Sequence, residues 1–185
     1  MIIPLVRLRS TAKWQRREAQ FGTVMSNLIK IDGVATVAMR EIANDCGNVL
    51  HMLRNDAPDF TKFGECYFSE VLPGAIKAWK LHREQTQNLA VPVGRVRLVI
   101  YDDRAGSSTR GSLEVQTLGR PDAYLRVQIP PGLWYGFACI GSTPALIANC
   151  ADLPHEKTES ESKSLFDPSI PYDWNTNSGL NFESN

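Results

Sequence analysis

From about residue 34 the chain runs as short apolar-rich stretches with period-two alternation, most of them closed by turn residues. Predicted strands cover 34–39, 47–54, 65–71, 75–82, 86–93, 95–102, 112–118, 123–129, 133–140 and 144–149. Pro73-Gly74, Val93-Gly94, Asp102-Asp103, Gly119-Arg120-Pro121-Asp122 and Pro130-Pro131-Gly132 punctuate the gaps. Those gaps are shorter than the roughly dozen residues a helical crossover between parallel strands needs. The pattern therefore predicts an antiparallel all-β sandwich or barrel.

Both ends depart from this pattern. Residues 1–24 carry five basic residues (Arg7, Arg9, Lys13, Arg16, Arg17) and one acid, Glu18, and show no apolar stripe. They read as a poorly ordered basic extension before a domain over 25–174 that opens at Met25. Arg7, Arg9 and Lys13 interrupt the apolar start too early for a secretory leader. Residues 151–185 hold seven acids and two bases, and the run 156–162 is expected to be a solvated loop. Tyr172 and Trp174 should dock on the domain, and 175–185 is expected to be a flexible tail.

The whole chain has 185 residues and balances 20 Lys+Arg against 20 Asp+Glu. A formal charge of zero argues against a nucleic-acid backbone or an anionic membrane as the main partner. No apolar run approaches the ~20 residues of a membrane span. The four cysteines (Cys46, Cys66, Cys139, Cys150) form no CxxC pair. They are expected to be buried free thiols, consistent with a cytoplasmic location.

Candidate chemistry concentrates on the stretch Ala75 to His82. Strict alternation puts Ile76, Ala78, Lys80 and His82 on one face and Lys77, Trp79 and Leu81 on the other. Lys80 and His82 would then stand ~7 Å apart on one face. If that face lines a lumen, the Lys80 ammonium disfavours the imidazolium and leaves His82 neutral at pH 7, as a general base requires; on a rim strand the two would be solvated cations. Gln87, Asn88, Arg104, Arg126 and Gln128 place polar groups on several further strands and loops, as a polar-lined ligand site would need. Trp134, Tyr135 and Phe137 offer rings that could stack on a base or sugar, core packing being the equal alternative for Trp134 and Phe137, and Tyr135 adds a hydroxyl in want of a partner. No Gly-rich phosphate loop is present. Lys80 stands where a metal-binding cupin would carry the first of two histidines one residue apart, so neither a metal nor another cofactor is expected.

Taken in order, several segments resemble the dTDP-4-dehydrorhamnose 3,5-epimerase family of cupin-like sugar-nucleotide enzymes, in particular its smaller relatives. They are Phe63 to Ser69, Pro73 to His82, Ala90 to Gly94, Tyr101 to Arg104, Ser107 to Gly111, Ile129 to Phe137, Ala148 to Ala151 and Ile170 to Trp174. The resemblance implies a jelly-roll barrel, a homodimer, and a nucleotide-diphosphate 4-keto-6-deoxy sugar as substrate. It also implies cofactor-free epimerisation at C3 and/or C5 in polysaccharide or deoxysugar biosynthesis. A histidine takes the proton beside the ketone, and a tyrosine returns one to the opposite face.

Leu81-His82 matches the end of the family's Arg-Gly-Leu-His segment, although counting from Lys77 puts Lys80 in the histidine's place. The family's tyrosine falls at Ala148, so Tyr135, in the family's His-Gly-Phe position, is the candidate replacement. The basic residue at the oxyanion falls near Gln87 or Asn88. Glu183 is the only acid where the histidine-orienting aspartate is expected, and Cys46 stands in for an arginine. The implied catalytic set is His82, Tyr135 and Lys80. The candidate substrate contacts, from both readings, are Lys77, Gln87, Asn88, Arg104, Trp134 and Arg126. A 3,4-ketoisomerase, a non-catalytic sugar-nucleotide-binding cupin and a structural barrel are the alternatives.

Overall fold

The computed structural model describes residues 30–156 and 159–175. The basic extension 1–24 and all of the expected tail except Asn175 lie outside those residues. Twelve strands are present: β1 (Ala35–Ala38), β2 (Glu41–Asn44), β3 (Gly47–Leu50), β4 (Glu65–Val71), β5 (Ile76–His82), β6 (Gln87–Val93), β7 (Arg95–Tyr101), β8 (Leu113–Gly119), β9 (Leu125–Ile129), β10 (Trp134–Cys139), β11 (Ala145–Ala151) and β12 (Ser160–Ser162). Two antiparallel five-stranded sheets, ordered β1-β9-β6-β11-β4 and β12-β5-β10-β7-β8, pack as a cupin-like jelly roll. β2 and β3 form a separate hairpin. Among the described residues there is no helix long and apolar enough to cross a membrane.

Alternation builds the core between the sheets. Leu89 and Val91 of β6, Val127 and Ile129 of β9, and Ile147 of β11 project inward from the first sheet. Val96, Leu98 and Ile100 of β7 meet them from the second, together with Tyr135, Phe137 and Cys139 of β10. A second apolar layer covers the outer face of the second sheet. There Trp79, Val99, Tyr101, Trp134 and Ala138 lie beneath Leu165, Ile170, Tyr172 and Trp174. The ring of Trp174 sits 5.2 Å from Trp79 and 4.8 Å from Tyr172, so the C-terminal aromatics dock as expected.

Three expectations are corrected. The first concerns β5, whose pairing with β10 slips: Tyr135 opposes Lys80, yet two residues on, Phe137 opposes Lys77. The extra residue bulges at Ala78–Trp79 and inverts the alternation below it. Lys77 therefore joins Lys80 and His82 on the inner face, while Ile76 and Ala78 pack with Trp79 and Leu81 outside. Gly136 lies against the bulge, where a side chain would overlap the Ala78 Cβ and come within 3.1 Å of Trp174.

The second concerns the acidic run 156–162, which is not simply a solvated loop. Glu159 is buried, and Ser160, Glu161 and Ser162 pair with His82, Leu81 and Lys80 as the edge strand β12. The third concerns the cysteines. Cys139 and Cys150 are buried, but Cys46 and Cys66 are exposed, and the sulfurs of Cys66 and Cys150 face each other at 3.4 Å across β4 and β11.

Candidate active site

A cavity of about 390 Å³ opens between the sheets at the end where β4 and β12 form their edges. The second sheet contributes Lys77, Lys80, His82, Tyr135 and Phe137 to its wall. The first contributes Tyr67 and Ser69 from β4, Leu89 from β6, and Ile147 and Asn149 from β11. His155 and Ser162 complete the lining on the β12 side.

His82 is held at both ring nitrogens. Its Nδ1 lies 2.6 Å from Glu159 Oε2, and its Nε2 lies 3.1 Å from the Tyr135 hydroxyl. All three groups are buried. The other Glu159 oxygen accepts the backbone N–H groups of Glu84 and Gln85 at 3.1 and 2.9 Å. Burial alone would push the Glu159 carboxyl up, but the imidazole and the two amides hold it below the usual range. Burial is also the main influence on His82, and it lowers the pKa. Lys80 and His155 push the same way, against the hydrogen bond and charge of Glu159. The resulting pair is a carboxylate beside a neutral imidazole. Nδ1–H donates to Glu159, and Nε2 carries the lone pair and accepts the Tyr135 O–H.

Tyr135 stands beside His82 rather than across the cavity from it. Their strands are adjacent, and the rings lie near parallel, 18° apart, with centroids at 6.0 Å. Burial pushes the Tyr135 phenol far above its ordinary value, with Tyr67 and Glu159 adding to the rise. Lys77 Nζ donates to Ser69 Oγ at 3.0 Å, and Lys80 Nζ to Ser162 Oγ at 3.5 Å. The two ammonium groups thus line a wall that also holds the imidazole.

The remaining sequence candidates lie off the cavity. Gln87 is one hydrogen bond behind it, its Oε1 accepting the Asn149 amide at 2.5 Å. Asn88 and Arg126 are joined to each other at 2.6 Å, and Arg126 also pairs with Asp59 of the loop between β3 and β4. Their alternation with the inward Leu89 and Val127 puts them on the sheet's outer face. Arg104 is tied to the fully buried Asp102 and to the Asp32 carbonyl. Trp134 belongs to the outer apolar layer, with Lys163 Nζ 4.5 Å from its ring centroid.

Four residues of the site were not singled out from sequence: Glu159, Tyr67, Asn149 and His155. Tyr67 and Ser69 share parity with the buried Val71, which was a readable signal. Glu159 gave none, since it sits inside an acidic run. Glu183, the acid expected to orient the histidine, lies outside the described residues, and Glu159 makes that contact. Among the described residues no group of three or more His, Cys, Asp or Glu side chains is placed to hold a metal ion.

An imidazole oriented by a carboxylate, in a cavity between the sheets of a cupin-like jelly roll, is an arrangement suited to proton transfer. No family model matches the chain. It is 30% identical over 148 residues to the spore coat polysaccharide biosynthesis protein SpsL of Bacillus subtilis, covering 79% of this chain and 97% of that protein. A probable low-salt glycan biosynthesis epimerase of Haloferax volcanii is 34% identical over 133 residues, covering 71% and 81%. The crystal structure of a dTDP sugar isomerase from Desulfovibrio desulfuricans superposes with a TM-score of 0.79 at 51% identity, covering 81% of this chain and 97% of that one. A dTDP-4-dehydrorhamnose 3,5-epimerase from Elizabethkingia anophelis shares the fold at a TM-score of 0.65 and 19% identity. The chain belongs to the dTDP-4-dehydrorhamnose 3,5-epimerase-like family of sugar-nucleotide epimerases and isomerases.

Proposed function

We propose that this protein epimerises a nucleotide-diphosphate 4-keto-6-deoxy sugar at C3 and/or C5, within polysaccharide or deoxysugar biosynthesis. The observation that carries the reading is the His82–Glu159 pair, which leaves Nε2 as the imidazole's lone-pair nitrogen at the cavity. A carbon acid beside a ketone needs a neutral base in place and hydrogen-bond donors aimed at the oxygen that becomes anionic. His82 Nε2 takes the proton from the carbon next to the ketone, and the bond electrons move into the enolate. The charge that develops on the ring is balanced by the Glu159 carboxylate. The Tyr135 hydroxyl, which donates to Nε2, re-aims at the substrate when the sugar displaces it. Together with the Lys77 and Lys80 ammonium groups it supplies donors for the enolate oxygen and charge for an anionic substrate.

The test is exchange in D2O. Incubated with a dTDP-linked 4-keto-6-deoxyhexose, the wild type incorporates deuterium at C3 or C5, and His82→Asn abolishes the incorporation. A wild type that binds the sugar nucleotide without exchange overturns the reading. A second reading, 3,4-ketoisomerisation of the same substrate class, is supported by the 51% identity to a dTDP sugar isomerase. Its product carries the ketone at C3, which NMR distinguishes from an epimer.

We further propose a homodimer, supported by Phe63, Phe68 and Leu72, which expose large apolar groups on and beside the open edge strand β4. A cytoplasmic location is proposed with it, supported by four cysteines too few and too widely spaced for a secreted disulfide scaffold.

A further inference from the structure

Inversion at carbon needs a second proton-transfer group on the face of the sugar away from the base. Tyr135 does not meet that requirement, because it is bonded to His82 from the neighbouring strand of the same sheet. Ala148, where the family's tyrosine falls, has no proton to give. We infer that Tyr67 of β4 is the group that delivers the proton from the opposite wall of the cavity. The inference rests on the epimerase reading above.

Three observations carry it. Tyr67 lines the same cavity as His82 but projects from the facing sheet, so a sugar ring between the sheets would have the imidazole on one side and this phenol on the other. Its hydroxyl oxygen accepts the Asn149 Nδ2–H at 2.8 Å, which leaves its own proton free to point into the cavity. That Asn149 amide is fixed in orientation by a buried chain of side chains. Asn149 Oδ1 accepts the Asn88 backbone N–H at 3.1 Å, and Nδ2 also donates to Gln87 Oε1. Gln87 in turn donates to Gln85 Oε1 at 2.7 Å, and Gln85 donates to the Leu153 carbonyl. Each amide in the chain is therefore turned one way, and an N–H is presented to the phenol oxygen. A donor aimed at that oxygen stabilises the phenolate that remains after proton delivery.

Burial is the main influence that raises the Tyr67 phenol, while the Asn149 hydrogen bond acts in the opposite sense. The phenol is thus fully protonated before it acts. It is also 40% exposed, so water can restore the proton after each turnover. The step balances. The Tyr67 O–H bond breaks and leaves its electron pair on the phenolate, the enolate C=C pair forms the new C–H bond, the oxyanion lone pair restores the C=O, and the phenolate regains a proton from water. His82 returns its proton to solvent separately.

Tyr67→Phe keeps the ring and removes only the proton donor. With the dTDP-linked 4-keto-6-deoxyhexose in D2O, this variant is expected to retain His82-dependent deuterium exchange within about threefold. Formation of the inverted sugar should fall by at least about 100-fold, the scale of a lost general acid. Inversion within threefold of wild type overturns the assignment. So does a parallel loss of exchange and inversion, which would make Tyr67 a binding group instead. If His82→Asn loses both signals while Tyr67→Phe matches wild type, the epimerase reading stands and the Tyr67 assignment falls. A wild type with no exchange at all overturns both.

Discussion

Replacing Glu159 with glutamine probes the orientation of the base with little change in volume. In the native site the carboxylate accepts three hydrogen bonds, one from His82 Nδ1 and two from the backbone at Glu84 and Gln85. A carboxamide keeps its oxygen on the two backbone donors and turns its amino group toward Nδ1. Two N–H groups then face each other unless the imidazole moves its proton to Nε2, which removes the lone pair the reaction uses. The lost charge-assisted hydrogen bond is worth about 1.5–3 kcal/mol, and the upper end of that range is roughly 100-fold in rate. The misplaced proton adds to this loss. An aspartate-to-asparagine change in a Ser-His-Asp triad, which acts through the same tautomer shift, costs about 10⁴ in kcat. Glu159→Gln should therefore lower deuterium exchange by about 10²–10⁴, read by NMR on the 4-keto sugar nucleotide. A cooperative melt within about 10 °C of wild type would show that the protein is still folded. Exchange within threefold of wild type would refute the claim that Glu159 sets the tautomer of His82.

Three further outcomes follow from the structure. Because burial, Lys80 and His155 lower the His82 pKa against the pull of Glu159, kcat/KM should hold as pH falls through 6.5, with its acid limb below that value. The unfolded chain takes up this proton near 6.5 and the folded one only at lower pH, so stability contributed by His82 is lost as pH falls through that interval. A kinetic pH profile with its acid limb at or above 6.5 contradicts this. Gly136→Ala should cost about 1–3 kcal/mol by overpacking, since the new methyl group overlaps Ala78 and presses on Trp174. A thermal melt unchanged from wild type would show that the bulge in β5 yields freely.

The parts of this fold that were legible in the sequence are those where turn chemistry and alternation agree. β6, β7, β9 and β10 fall within the expected ranges, and β8 and β11 overrun theirs by one and two residues, because Gly, Pro and Asp close most of them and inward positions are apolar. β12 was not legible, since Ser160-Glu161-Ser162 has no apolar residue and forms a strand only by pairing with β5. Glu159 was hidden with it: a carboxylate in an acidic run reads as solvated, and only the backbone amides of Glu84 and Gln85 make its burial tolerable. Lys77 was assigned to the wrong face because one bulged residue reverses parity, and nothing local to β5 announces it. Asn88 and Arg126 read as lumen groups because polar residues on central strands usually mean a ligand. Here they bond to each other, and Arg126 to Asp59, on the outer face. His82 and Lys80 lay above the bulge, so strict alternation placed them together correctly.

The brief pairing of Ser160 to Ser162 with β5 has a bearing on how the molecule matures. The strands that enclose the core are all complete by Ala151, so a nascent chain could assemble its barrel before the carboxylate partner of the imidazole has been synthesised. Competence would then arrive as a late event, when the C-terminal strap closes along the sheet margin and Trp174 seats against Trp79. A chain truncated ahead of residue 159 would lose both the carboxylate that aligns the base and the aromatic cover over Trp79 and Trp134.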